Sequence, residues 1–214
     1  MTRAWLLGFG AAALAALLAE SAAYGQAGPG EEAQADAAME AGAQEQPPPG
    51  PYPVVVEGRY GYIDQEGQIV IEPQFHWADR FQEGLAAVRV DFGYASYGHI
   101  TQEGQFITEP RFEATWPFQQ GMAAVRLDGK YGFIDQSGTL VIPPQYQFAW
   151  GFMEDRARVS LNARWGYIDK TGALIAAVQF DEAWDFFQGL AKVRVGNKIG
   201  YINADGKTVW EPTD

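Results

Sequence analysis

Ala123-Ala124-Val125-Arg126-Leu127-Asp128-Gly129-Lys130-Tyr131-Gly132-Phe133-Ile134-Asp135-Gln136-Ser137-Gly138-Thr139-Leu140-Val141-Ile142-Pro143-Pro144 reads as three short strands joined by two turns. Ala123, Val125 and Leu127 alternate with Ala124 and Arg126, the period-two pattern of a strand with one face on a core and the other turned outward. Asp128-Gly129-Lys130 reverses the chain into a second strand, Tyr131-Gly132-Phe133-Ile134. Asp135-Gln136-Ser137-Gly138 fits a type I turn, with aspartate accepting from the backbone at the first position and glycine at the fourth. Thr139-Leu140-Val141-Ile142 is the third strand, and Pro143-Pro144 ends it because proline has no N–H to give to a ladder.

Outward from this stretch the same grammar recurs. Tyr60-Gly61, Tyr97-Gly98, Tyr131-Gly132, Trp165-Gly166 and a degenerate Ile199-Gly200 step by 37, 34, 34 and 34 residues. Two residues beyond each glycine stands isoleucine: Ile63, Ile100, Ile134, Ile168 and Ile202. Gly67, Gly104, Gly138, Gly172 and Gly206 mark the following turn, and Phe81, Phe118, Phe152 and Phe186 share a later offset. The first strand recurs as Ala86/Val88/Val90, Ala157/Val159/Leu161 and Ala191/Val193/Val195, with Ala87 and Arg89 on the other face of the first of these. Five units follow, at about 54–80, 81–117, 118–151, 152–185 and 186–214. Each is expected to be a three-stranded antiparallel meander plus a surface turn. A unit this small cannot bury its own apolar face, so neighbours must stack. The expected fold is all-β, an open twisted array of five such units. A closed five-bladed ring is the alternative, since closure removes exposed edges.

The pattern resembles the WG-repeat (KWG-repeat) proteins. Trp165-Gly166-Tyr167-Ile168-Asp169 and Phe81-Gln82-Glu83-Gly84-Leu85-Ala86-Ala87-Val88 match that family's motifs residue by residue, and the likeness extends over 54–214. Most copies carry tyrosine in place of the tryptophan, and the copy at Phe152 has Asp155 where its second glycine would stand. The resemblance implies a β-structured module of bacterial proteins and brings no catalytic residues.

Ahead of the repeats lie two segments of different character. Residues 1–23 join Arg3 to an apolar run of about 15 residues, short of the roughly 20 a membrane span needs, and end in Ser21-Ala22-Ala23. They are expected to be a signal peptide for export to the periplasm or beyond, with an uncleaved membrane anchor as the alternative. Residues 24–53 are rich in Gly, Ala, Gln, Pro and acid, a composition too poor in apolar surface to fold, and are expected to be a disordered linker. The chain carries 27 acids against 15 bases; without residues 1–53 the balance is 21 against 14. Such a domain is not expected to bind nucleic acid, which needs clustered cations. No stretch after residue 23 is apolar for long enough to span a membrane.

Chemistry is sparse. With no cysteine, thiol catalysis and Cys-zinc sites are excluded. His76 and His99, the two histidines, occupy ordinary repeat positions. Asp64, Asp135 and Asp169 are turn residues, and Glu72, Glu109 and Glu211 precede prolines that end strands. Acids that follow the repeat do not make a local active site, and one aspartate per turn is too few for calcium. No enzyme activity, cofactor or metal is expected.

Two surfaces and one loop are candidates for binding. Arg89, Arg126 and Arg194 share one offset, with Ser160 in the remaining copy; Arg158 and Lys192 lie two residues earlier on the same face. Stacking would align them into a basic strip, or they are solvated residues paired with neighbouring acids. Trp116, Trp150 and Trp184 share another offset, and could stack on sugar rings, anchor a peptide or staple one unit to the next. Asp91-Phe92-Gly93-Tyr94-Ala95-Ser96 holds the one insertion in the repeat, and Phe92 and Tyr94 have no counterparts in other copies. The expected function is an exported, non-catalytic module binding a protein partner, with an envelope glycan or peptidoglycan as the alternative ligand.

Overall fold

A computed structural model describes residues 50–213. The expected signal peptide and nearly all of the expected linker lie outside the described residues. The described residues form five antiparallel sheets and no helix. The first contains β1 (Tyr52–Val56), β2 (Arg59–Ile63) and β3 (Ile69–Phe75); the second, β4 (Trp77–Ala78), β5 (Leu85–Arg89) and β6 (Tyr97–Thr101). The third has four strands, β7 (Ala114–Thr115), β8 (Met122–Leu127), β9 (Lys130–Asp135) and β10 (Leu140–Tyr146). The fourth holds β11 (Phe148–Ala149), β12 (Ala157–Leu161), β13 (Arg164–Ile168) and β14 (Leu174–Phe180). In the fifth are β15 (Glu182–Ala183), β16 (Leu190–Val195), β17 (Lys198–Asn203) and β18 (Thr208–Thr213). None of these sheets closes into a barrel, and the units follow one another in an open arrangement.

The meander is as the sequence leads one to expect, with one addition. The surface turn of each of the first four units carries a two-residue strand that pairs with the first long strand of the next unit, as Trp77 with Arg89 and Phe148 with Ser160. The chain thus crosses between sheets one strand earlier than the sequence repeat suggests. In the second unit the segment after Thr101 makes only isolated bridges, Ile100 to Phe106 and Tyr97 to Phe112. The array begins at Tyr52, two residues ahead of the expected start at Val54.

The core lies between consecutive sheets. Tyr62, Ile71 and Phe75 of the first sheet pack on Ala78, Ala86 and Val88 of the second. Tyr167, Ala176 and Phe180 of the fourth pack on Ala183, Phe186, Ala191 and Val193 of the fifth. At every junction the repeated phenylalanine meets the ring following the preceding unit's glycine: Tyr62–Phe81 at 4.9 Å, His99–Phe118 at 5.0 Å, Phe133–Phe152 at 5.0 Å and Tyr167–Phe186 at 5.1 Å. Such tilted and edge-on pairs add to the area they remove from water.

Stacking also corrects the expected one-sided strand. Ala87 and Ala124, placed by alternation on an outward face, are buried, because neighbouring sheets cover both faces of β5 and β8. Only the arginine end of that face reaches solvent. The glycine of the aromatic-Gly pair has a related cause. A Cβ on Gly61 would lie 2.6 Å from the Ile71 carbonyl oxygen and 2.7 Å from Pro73 N, because the third strand bulges over the second between Ile71 and Phe75.

Candidate functional site

The tryptophans turn one face of the array into a staple. Trp116 and Trp150 stack with centroids 5.1 Å apart and planes at 14°, and the Trp116 indole N–H donates to the Ala149 carbonyl at 3.1 Å. Arg158 lies 4.7 Å from the Trp150 ring centre and donates to the Ala183 carbonyl at 2.7 Å. Its Nε sits 2.7 Å from Asp185, an ion contact across to the fifth sheet. Lys192 Nζ caps the Trp184 ring at 3.9 Å. These cations therefore belong to the aromatic surface, where they occupy the position that Ala87 and Ala124 fill in closer-packed units. All three tryptophans are half-buried; Trp116 and Trp150 each give a face to the other, and Trp184 gives one to Lys192.

The other arginines do not form a continuous strip. Arg126 Nε lies 3.3 Å from Glu113, and Arg194 pairs with Glu182 at 2.6 Å and donates to the Gly196 carbonyl. Arg89 has no carboxylate within ion-pair distance among the described residues. It lies between two rings, 5.9 Å from the centre of Phe92 and 5.4 Å from that of Tyr97. Phe92 and Tyr94 are 79% and 73% exposed, and Phe92 packs on His76 with ring centres 3.9 Å apart.

The His76 position explains this loop. In the following units its counterparts Glu113, Gln147 and Asp181 accept a hydrogen bond from the hairpin turn of the next sheet, at Gly129, Ala163 and Gly196 respectively. In the second unit the turn is the longer 91–96 loop and caps itself: Asp91 accepts from Gly93 N, and the Ser96 hydroxyl donates to the Gly93 carbonyl at 3.0 Å. Histidine there surrenders the capping role and packs, tilted at 55°, against the inserted Phe92.

A second set of polar contacts was hidden in the sequence. The turn before each first strand places Glu83, Gln120, Glu154 and Gln188 at one offset, all at positive φ. The Glu83 carboxylate accepts from Gln120 N and Gly121 N at 2.6 and 2.8 Å, and Glu154 accepts from Gln188 N and Gly189 N at 2.5 and 2.8 Å. Between them, Gln120 Oε1 accepts from Asp155 N at 2.7 Å. Side chains long enough to span two units, always Glu or Gln, were the signal. Glu154→Ala should lower stability by about 1 kcal/mol in chemical denaturation, while Glu154→Gln should keep part of that, because charge-assisted bonds at an exposed site are worth little more. Equal losses from both would show that only a carboxylate serves these turn amides, and no loss from either that they gain nothing from a side-chain acceptor.

The turn aspartates are occupied too. Asp135 Oδ1 accepts from the Ser137 hydroxyl, Ser137 N and Thr139 N, and Asp169 Oδ1 from the Thr171 hydroxyl, Thr171 N and Ala173 N. These bonds, the hydroxyl one foremost, hold both carboxyls below the usual range. His99 is fully buried, with Nε2 3.0 Å from the Thr115 hydroxyl and Nδ1 without a partner. Burial pushes its imidazole down to about 4, against a smaller upward pull from the Trp116 carbonyl.

The fold and its surfaces define a repeat protein whose small sheets stack through aromatic junctions and whose polar periphery is largely self-satisfied. A family model for the WG containing repeat matches residues 60–91, 97–131, 131–165 and 165–198, and the chain belongs to that family. No curated protein matches. Among solved structures, one similar chain is described as the extracellular domain of a hybrid two component system from B. thetaiotaomicron: 8% identity, TM-score 0.42, covering 77% of this chain and 27% of that one. Another is a protein of unknown function from Bacteroides caccae: 12% identity, TM-score 0.31, covering 75% and 77%.

Proposed function

We propose that this chain is an exported, non-catalytic module that binds a protein partner through the 91–96 loop and the side chains around it. The observation that carries the reading is the exposure of Phe92 and Tyr94 in the one insertion of the repeat. Aromatic residues left in water beside an arginine are the type that dominates protein interfaces. The leader-like residues 1–23 support export. The occupied turn aspartates support a structural role for those acids. Trp116 and Trp150 stacked on each other, with Arg158 over Trp150, favour a protein partner over a sugar.

A photoreactive phenylalanine analogue in place of Tyr94 tests this in living cells, with Val55, also exposed, as the control position. The expected result is a discrete, protease-sensitive adduct in the envelope or secreted fraction at position 94 and none at 55. Adducts indifferent to position, or confined to the cytoplasm, would overturn it. An adduct resistant to protease but removed by glycan-cleaving enzymes would shift the ligand to carbohydrate.

A further inference from the structure

We infer that the Arg89 patch is a seat for an acidic peptide segment, taking one carboxylate on the guanidinium and an adjoining apolar side chain against Trp77, Phe92 and Tyr94. This rests on the interaction-module reading and specifies the partner's chemistry.

The repeat supplies the comparison. The arginines at this offset in two other units each have an acid in or just before the neighbouring short strand, Glu113 for Arg126 and Glu182 for Arg194. At Arg89 the corresponding segment carries His76 and Trp77. The arginine is kept but its acid is not, so the cation faces outward uncompensated on a chain of net charge −12. Arg89 is also held in place. Nε donates to the Ser96 hydroxyl at 3.1 Å and Nη2 to the Gly93 carbonyl at 3.3 Å, while the Phe92 and Tyr97 rings flank the guanidinium. Two of its five N–H donors are used, leaving a preoriented remainder for a carboxylate. The one acid in the loop, Asp91, accepts from Gly93 N at 2.5 Å.

The apolar part is built from the same residues. Trp77 pairs with Arg89 across the strands and packs edge-on to Tyr97 at 6.0 Å, and it remains exposed. Phe92 packs on His76, and Tyr94 two residues on is equally left in solvent. A guanidinium ringed by exposed aromatic surface matches a peptide that alternates acid with apolar residues. A basic peptide would meet like charge at Arg89, and the acidic remainder of the surface disfavours acidic ligands elsewhere. The patch thus joins an oriented cation, with donors to spare, to exposed aromatic surface, and so can hold an acidic segment.

The test selects random octapeptides on the full chain, after counter-selection on the Phe92→Ser/Tyr94→Ser chain, and measures binding of the selected peptides by fluorescence anisotropy. Enrichment of Asp or Glu beside Leu, Phe or Trp is expected. Arg89→Gln should weaken those peptides by about tenfold or more, as should replacing their Glu with Gln, since one aligned charged pair contributes about that much. Unchanged near-ultraviolet circular dichroism of each variant confirms that folding is intact. Neutral or basic peptides that ignore Arg89→Gln would overturn the acidic specification, while a position-94 protein adduct would leave the module reading standing. Absence of both peptides and adduct would overturn the two together.

Discussion

Gly132→Ala should lower the melting temperature by roughly 6–12 °C, corresponding to about 3 kcal/mol, the upper part of the range for forcing atoms into a packed site. The added methyl would lie 2.8 Å from Pro144 N and 2.9 Å from the Pro143 carbonyl carbon, and both belong to a backbone that cannot step aside without breaking its pairing with β9. Gly61→Ala and Gly166→Ala meet the same obstacle, at the Ile71 and Ala176 carbonyls. Gly98→Ala is the internal control. Its methyl would meet the Phe106 ring edge at 3.2 Å and the Thr108 carbonyl oxygen at 3.3 Å, because the second unit lacks a regular third strand. A loss of about 1 kcal/mol or less is expected there. Calorimetry on the full chain decides: equal losses at Gly98 and Gly132 would remove the close-approach explanation.

The second large effect is acid lability from His99. Folding buries a neutral imidazole, so its folded value, about 4, lies below the ordinary value of about 6.5. Above pH 6.5 both states are neutral and the full stability is present. Between about 6.5 and about 4 the unfolded chain binds a proton that the folded chain refuses, so stability falls as the pH falls. Below about 4 both are protonated and this contribution changes no further. The loss integrates to about 3 kcal/mol, since one pKa unit is worth about 1.4 kcal/mol. His99→Phe should flatten this window, because Phe133 fills the same repeat position in the next unit and packs on Phe152 as His99 packs on Phe118. Urea titrations of both proteins from pH 7.5 to 4 check it; curves that fall in parallel would place the acid sensitivity elsewhere.

Much of the fold was legible because its determinants are local and repeated. Tyr131-Gly132-Phe133-Ile134 could be read as a strand from alternation, and Asp135 to Gly138 as a turn from its residues. The site was legible only in outline. Phe92 and Tyr94 were marked by an insertion, but the missing acid at Arg89 became visible only when Glu113 and Glu182 were seen beside Arg126 and Arg194. Arg158 and Arg89 looked alike as cations on one strand face. One proved to be stacked on Trp150 and bonded to the next sheet, the other held between rings beside an exposed loop.

The sequence by itself determined the long strands of the meander, apart from the third of the second unit, together with the turns, the five-fold repetition and the family, because each depends on residues close together in the chain and on chemistry that hardly varies with surroundings. The tertiary structure alone decided which faces meet water. Alternation assigns Ala87 to a side of a strand but cannot say that another sheet covers it, and tryptophans at one offset are staples or platforms according to what lies across them. The bonds that tie unit to unit join residues 30 or more apart in sequence, such as Trp116 with Ala149 or Glu83 with Gln120, and the ion pairs join residues 12 to 27 apart on different strands or turns, so only the folded array brings either set together.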